Sequence, residues 1–254
     1  MCRFRSGIIL KTRCVVAQGS SDSHTDLLEE LGIEDTTQNA MTKFVRAELI
    51  PPNDEWWTNP DTWEINIDQD ITPDWFEEDK ERYITEFRES VKAWWEAHVL
   101  VDKKIDELSS GYYRLKRCEV KRTLKEVQLM LDNSTVQEMW DNSTVQEMWG
   151  NSTVQNMLNN STVQLMCGNS TVQLMCGNST VQEMWDNSTV QEMLDNSTVQ
   201  EMLDNSTVQN MCGNSIVQNM CGNSLAKDYT NNTIHISSES SLKPMIHENK
   251  EGEE

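Results

Sequence analysis

The residues able to do chemistry are few and scattered. Cys2 follows the first Met, and removal of that Met would leave an N-terminal thiol. With His24 as base and a carboxylate such as Asp22, Asp26 or Asp68 to orient it, Cys2 would be a candidate nucleophile. No spacing signature links these residues, and a cysteine beside a basic first strand (Arg3, Arg5) is the plainer reading. Carboxylates crowd the stretch from Asp68 to Asp79, DQDITPDWFEED. It lacks the glycine of a calcium loop and Pro73 interrupts it, so it reads as an acidic turn before a helix. Cys167, Cys176, Cys212 and Cys221 stand at a position that Trp and Leu also occupy. That interchange points to packing rather than to zinc, which needs converging ligands. No metal or cofactor is expected.

The positioning elements follow from one repeat. From Asp132 to Cys221 the chain is ten nonapeptides without insertion, DNSTVQEMW in the first two and GNSIVQNMC in the last. Asn at place two, Ser at three, Val at five, Gln at six and Met at eight never change. Such regularity marks a stacked architecture in which each unit meets its neighbours. A straight helix turns through about 900° in nine residues, so its apolar face would flip at each repeat. A parallel β-solenoid does not have that difficulty. Ser-Thr-Val-Gln alternates, and Gly, Asp or Asn followed by Asn supplies a corner. Met lies three places after Val, so the chain must bend for both to face inward.

The expected core is therefore Val136, Met139, Val145, Met148, Val154, Met157, Val163, Met166, Val172 and Met175. The expected outer face carries Thr135, Gln137, Thr144, Gln146, Thr153, Gln155, Thr162 and Gln164. Two nonapeptides per coil is the favoured arrangement, with three per coil left open. Asn-Ser-Thr occurs nine times from Asn133, formally a glycosylation sequon; a hydrogen-bonded corner ladder is the better reading.

Three segments are expected: an α+β domain over 1–122, the solenoid over 123–237 with degenerate caps, and a disordered acidic tail over 238–254. Thr123–Leu131 would be a worn first unit and Asn231–Ser237 a closing strand. In the first domain, GIIL and CVVA form a hairpin. A helix runs from Ser23 to Gly32 and strands follow in KFVRAELI and WEINIDQD. A long helix spans Trp75–Val101, and YYRLKRCEVK is a strand.

The join Gly111–Trp140, together with SHTDLLEELGIED, FVRAEL and W-x-I-x-I-D-Q-D, resembles a group of uncharacterised proteins from bacteriophages and gut bacteria. In these a short N-terminal domain precedes S-T-V nonapeptide arrays of variable length. The resemblance covers most of the chain. It implies a repeat solenoid and a phage or mobile-element origin, and no activity.

Composition narrows the function. The net charge of −21 argues against a general nucleic-acid partner, because phosphates need a basic surface. No apolar run is long enough for a membrane helix, so no membrane partner is expected. The N-terminal segment does not read as a signal peptide, and seven cysteines without a secretory framework fit a reducing cytoplasm. A non-enzymatic interaction or scaffold protein fits best. Its partner would be an unknown host or phage protein, with self-association as an alternative. Trp56, Trp57, Trp63 and Arg46 are the candidate anchors, because the tryptophans fall in a polar, Pro-containing loop. The competing functions are an acidic DNA mimic, an ice-binding solenoid with Thr columns, and the Cys2-dependent enzyme. A DNA mimic fits poorly with the absence of any charged residue between Glu147 and Glu183.

Overall fold

The computed structural model describes residues 4–18 and 22–228. Cys2, the expected closing strand at 231–237 and the tail at 238–254 lie outside the described residues. The chain forms two compact units, 1–99 and 100–254.

In the first unit, strands β1 (Arg5–Leu10), β2 (Arg13–Val16), β3 (Phe44–Ile50) and β4 (Glu64–Ile67) make an antiparallel sheet ordered β2-β1-β3-β4. Alternation decides its two faces. Ile8 and Phe44 meet Leu27 and Leu28 of helix α1 (His24–Glu30) and Ala40 of the short α2 (Thr37–Ala40). The opposite face carries Gly7, where a Cβ would stand 2.4 Å from the Phe87 ring. Phe87 belongs to α4 (Lys80–His98), which follows the one-turn α3 (Asp74–Glu77). Helix α1 begins as its sequence requires: the Ser23 hydroxyl accepts the Asp26 N–H, and Gly32 at φ 65° ends the turn.

The sequence predicts one helix over Trp75–Val101. The chain instead breaks at Asp79 (φ −144°), and residues 99–101 are extended. It also predicts that the first domain runs to 122, but the solenoid starts earlier. Strands β5 (Val99–Val101), β6 (Lys104–Leu108), β7 (Tyr112–Lys116) and β8 (Glu119–Thr123) already lie in its two sheets. YYRLKRCEVK is thus two strands, separated by Arg117 at φ 51°. Thr123–Leu131, read as the first worn unit, contributes β9 (Glu126–Leu131), with four solenoid strands before it.

The nonapeptides then give one strand each: β10 (Thr135–Met139), β11 (Thr144–Met148), β12 (Thr153–Met157), β13 (Thr162–Met166) and β14 (Thr171–Met175), followed by β15 (Thr180–Met184), β16 (Thr189–Met193), β17 (Thr198–Met202), β18 (Thr207–Met211) and β19 (Ile216–Met220). A last strand, β20 (Leu225–Asp228), pairs irregularly with β18. Even and odd strands form separate parallel sheets of eight. Thr135 pairs with Thr153, Val136 with Val154 and Met139 with Met157, so each coil is two nonapeptides.

Val at place five and Met at place eight are buried on both sheets, with Val172 and Met175 each 0% exposed, except that Met220 of the last repeat is only partly buried. Thr, Gln and place seven lie partly exposed between and beside them. The chain bends after Gln so that two successive residues face outward. Each buried Val or Met contributes about 1.5–3 kcal/mol, and its neighbours above and below are its own copies. Place three is closed by serines, buried in every repeat.

Val172→Asp should therefore disrupt the stack, since an unpaired carboxylate in an apolar column is costly. Thr171→Asp, one residue away and half-buried, should shift stability by about 0.5 kcal/mol or less. Thermal unfolding followed by circular dichroism separates the two; equal losses would overturn the inside-outside assignment.

Candidate functional site

A cleft of about 650 Å³ opens in the first unit beside β3 and β4, with Asp35, Arg46, Asn66, Asp68 and Gln69 in its lining. Phe44, Arg46 and Glu48 alternate onto the face of β3 that meets α1, and Asn66 lies opposite Glu48 on β4. Asn66 Nδ2 donates to Glu48 Oε2 at 2.9 Å. Asp68 follows β4, and its backbone N–H donates to the Arg46 carbonyl at 3.0 Å. Gln69 ties this corner down: its Oε1 accepts the Arg46 N–H, and its Nε2 donates to the Ile71 carbonyl.

His24 opens α1 over the same face. Its Nδ1 lies 3.2 Å from Asp68 Oδ2, and its Nε2 lies 3.2 Å from the Ala47 carbonyl oxygen. A carbonyl can only accept, so Nε2 carries the proton. Ligand atoms of His24, Glu48 and Asp68 all fall within 4.8 Å of one another.

The structure thus joins two residues named from the sequence, His24 and Asp68. Cys2 lies outside the described residues, and Asp22 and Asp26 are engaged elsewhere. Asp22 turns away to a buried ion pair with Arg5 at 2.9 Å, and Asp26 sits in the first turn of α1. Glu48 was missed. It is remote from both partners along the chain, so only the folded sheet brings it to the site. Alternation in FVRAELI places it on the same face as Arg46 and was the available signal.

The tryptophan anchors need correction. Trp56 and Trp63 are buried, 6% and 1% exposed, although they lie in a polar loop. They pack edge to face at 5.4 Å, and Trp56 also meets Trp94 at 6.1 Å. The buried Arg5 guanidinium lies 3.7 Å from the Trp94 ring centroid and 5.4 Å from that of Trp56. The indoles therefore screen a buried cation, a favourable cation–π arrangement that turns them inward rather than toward a partner. Trp57 is half-exposed. Arg46 alone of the four lines the cleft, paired with Asp35.

On the solenoid Thr pairs with the Thr one coil on, as Thr135 does with Thr153 and Thr144 with Thr162; Thr is partly exposed and Gln partly or more fully so. The corners carry hydrogen-bonded asparagine ladders: Asn169 Nδ2 donates to Asn151 Oδ1 at 3.3 Å and Asn178 to Asn160 at 3.2 Å. Trp149 and Trp185 are exposed at one corner, 41% and 42%, in coils stacked either side of the one holding buried Cys167. Burial, then the charges of Asp186 and Glu147, pushes the Cys167 thiol up to about 11. Cys14 is also pushed up to about 11, by burial and then by Glu86.

Comparison with protein-family models, curated proteins and solved structures finds no match. The fold itself defines the class: an α+β unit followed by a parallel β-solenoid with two nonapeptides to each coil. No helix among the described residues is long and apolar enough to cross a membrane.

Trp56→Ala should destabilise the first unit by about 3–5 kcal/mol, as loss of a buried indole does. Trp57→Ala should cost clearly less, and denaturant unfolding of the two variants gives the comparison. Burial and neighbouring acids favour the protonated thiol at Cys14 and Cys167, and the thiolate is the reactive form. Peptide mapping after brief alkylation should find exposed Cys221 modified well before either; early labelling of Cys167 would contradict its placement.

Proposed function

We propose that this is a non-enzymatic interaction protein of phage or mobile-element origin, acting in the cytoplasm. The first unit recognises a host or phage protein, and the solenoid serves as a rigid spacer or periodic face. The observation that supports this reading is the unbroken register of repeat on repeat. It lays nearly identical Thr and Gln columns along both sheets at a spacing of ~4.8 Å. Such a surface offers many equivalent positions and no unique patch, whereas one-to-one recognition uses a cluster of distinct anchors. A concave site of mixed polarity with a guanidinium is present in the first unit, and Arg46 borders it.

Deleting Asp141–Leu158 removes one whole coil and keeps every later repeat on its own sheet. That variant should fold and capture the same partner from a host lysate as the full chain. Arg46→Ala should fold and lose capture. Capture lost on deletion and kept in Arg46→Ala would move recognition to the solenoid face.

A further inference from the structure

We propose that His24, Glu48 and Asp68 bind a divalent first-row transition-metal cation. The inference is independent of the interaction reading above.

Three features carry it. First, the imidazole is set as a ligand. Its Nε2 hydrogen is committed to the Ala47 carbonyl, so Nδ1 is the nitrogen left to face Asp68 Oδ2, 3.2 Å away. A ring nitrogen and a carboxylate oxygen at that distance share a positive centre, a proton or a metal. A backbone carbonyl fixing the far ring nitrogen is the usual support of a metal-bound histidine.

Second, Glu48 is a buried carboxylate, 8% exposed, and no basic side chain pairs with it among the described residues. Arg46, which shares its strand face, is taken by Asp35. Burying a carboxylate without a compensating charge is costly, and a cation between Glu48 and Asp68 would supply that charge. Asn66 holds one Glu48 oxygen and leaves the other for a metal.

Third, the spacing is suitable. A tetrahedral cation with bonds of ~2.1 Å holds its ligand atoms ~3.4 Å apart. The His24–Asp68 pair is already there, and all three ligand atoms lie within 4.8 Å, so a modest rotation of Glu48 closes the set. The ligands stand on a helix start, a central strand and a strand end, which limits their drift. One nitrogen and two oxygens suit Zn²⁺, Mn²⁺ or Fe²⁺. Calcium takes all-oxygen cages and is disfavoured. Of the three, Asp68 lines the cleft.

The test uses the full chain after chelator treatment. Zn²⁺ binding is measured by calorimetry and Co²⁺ binding by absorbance. A single site per chain is expected, with Co²⁺ d–d bands and no thiolate charge-transfer band. Asn66→Ala should weaken Zn²⁺ by about 10- to 100-fold, the usual cost of losing a supporting hydrogen bond, and His24→Ala by more. Asp68→Asn changes an exposed side chain and is expected to keep the fold, checked by circular dichroism, while also losing the site. The proposal is overturned by absence of binding, by affinity unchanged in both His24→Ala and Asp68→Asn, or by a thiolate band that assigns the metal to cysteines.

Discussion

The solenoid depends on one residue per corner held at positive φ. Place one of the repeats lies between 56° and 71° wherever it occurs, from Asp141 through Asn159 to Gly213. L-residues with a Cβ lose roughly 1–2 kcal/mol there, and only Gly, Asn and Asp visit the region readily. Those three types are the only ones found at that place. The close stacking of corners adds a second constraint. A Cβ on Gly177 would stand 3.0 Å from the Asn159 carbonyl oxygen of the coil before it. Hydrogen bonding continues through the bend, with the Asn178 N–H donating to that same carbonyl and the Thr180 N–H to Ser161. The corner is thus a continuation of the sheet, and it sets the two-repeat period that brings Val over Val and Met over Met.

That logic explains both the reach and the limit of the sequence reading. Where the nonapeptide is exact, the period, the inward Val and Met, the bend between them and the place-seven columns can all be read before folding. Glu138, Asn156, Leu174, Glu192 and Asn210 stack in sequence order at place seven of one sheet. The opening coils escape because they keep the geometry and change its spelling. Lys104 pairs with Glu119 and Glu119 with Thr135, steps shorter than the two full nonapeptides that separate Thr135 from Thr153. Ile105 and Val120 take the place of the column Val, while Asp102 and Arg117 sit at positive φ. A period search cannot see corners that differ in length. Charge was the other signal: Lys104–Glu119, Lys121–Asp106 and Arg122–Glu107 are oppositely charged neighbours across one sheet, the favourable cross-strand arrangement.

The first unit divides differently. Its strands and first helix were legible from alternation and from the Ser23 cap, because those signals are local. The site was legible in halves. Polar character at His24 and Asp68 marks them as chemistry-bearing, but Glu48 reads as an outward residue of an amphipathic strand. The loop tryptophans failed for a related reason. NDEWWTNPDTW is polar by composition, yet Trp63 is buried with its indole N–H donating to Thr58 Oγ1 at 2.9 Å, and Arg5 beneath Trp94 comes from the other end of the unit's sequence. Local polarity cannot reveal a cation delivered by a strand so distant along the chain.

The acidic residues of the repeats show how charge is used within this fold. Ten acids and no base lie between Asp132 and Ser224. Wherever place nine is Trp, place seven is Glu, and the indole N–H donates to it: Trp140 to Glu138 at 2.8 Å, Trp149 to Glu147 and Trp185 to Glu183 both at 2.9 Å. At the corners Asp186 accepts the Gly168 N–H at 2.9 Å and Asp195 the Gly177 N–H at 3.0 Å. Asp204 accepts the Asp186 N–H, Asp141 accepts from Asn159, and Asp132 faces Lys116 and Arg117. A mimic of a phosphate backbone needs its charges evenly spaced and free to meet a basic partner. Eight of the ten carboxylates close hydrogen bonds or ion pairs of this kind, and the three successive nonapeptides without an acid, residues 150–176, carry Asn156, Leu165 and Leu174 at place seven. Most of the negative charge of the repeats thus sits on side chains that build corners and edges.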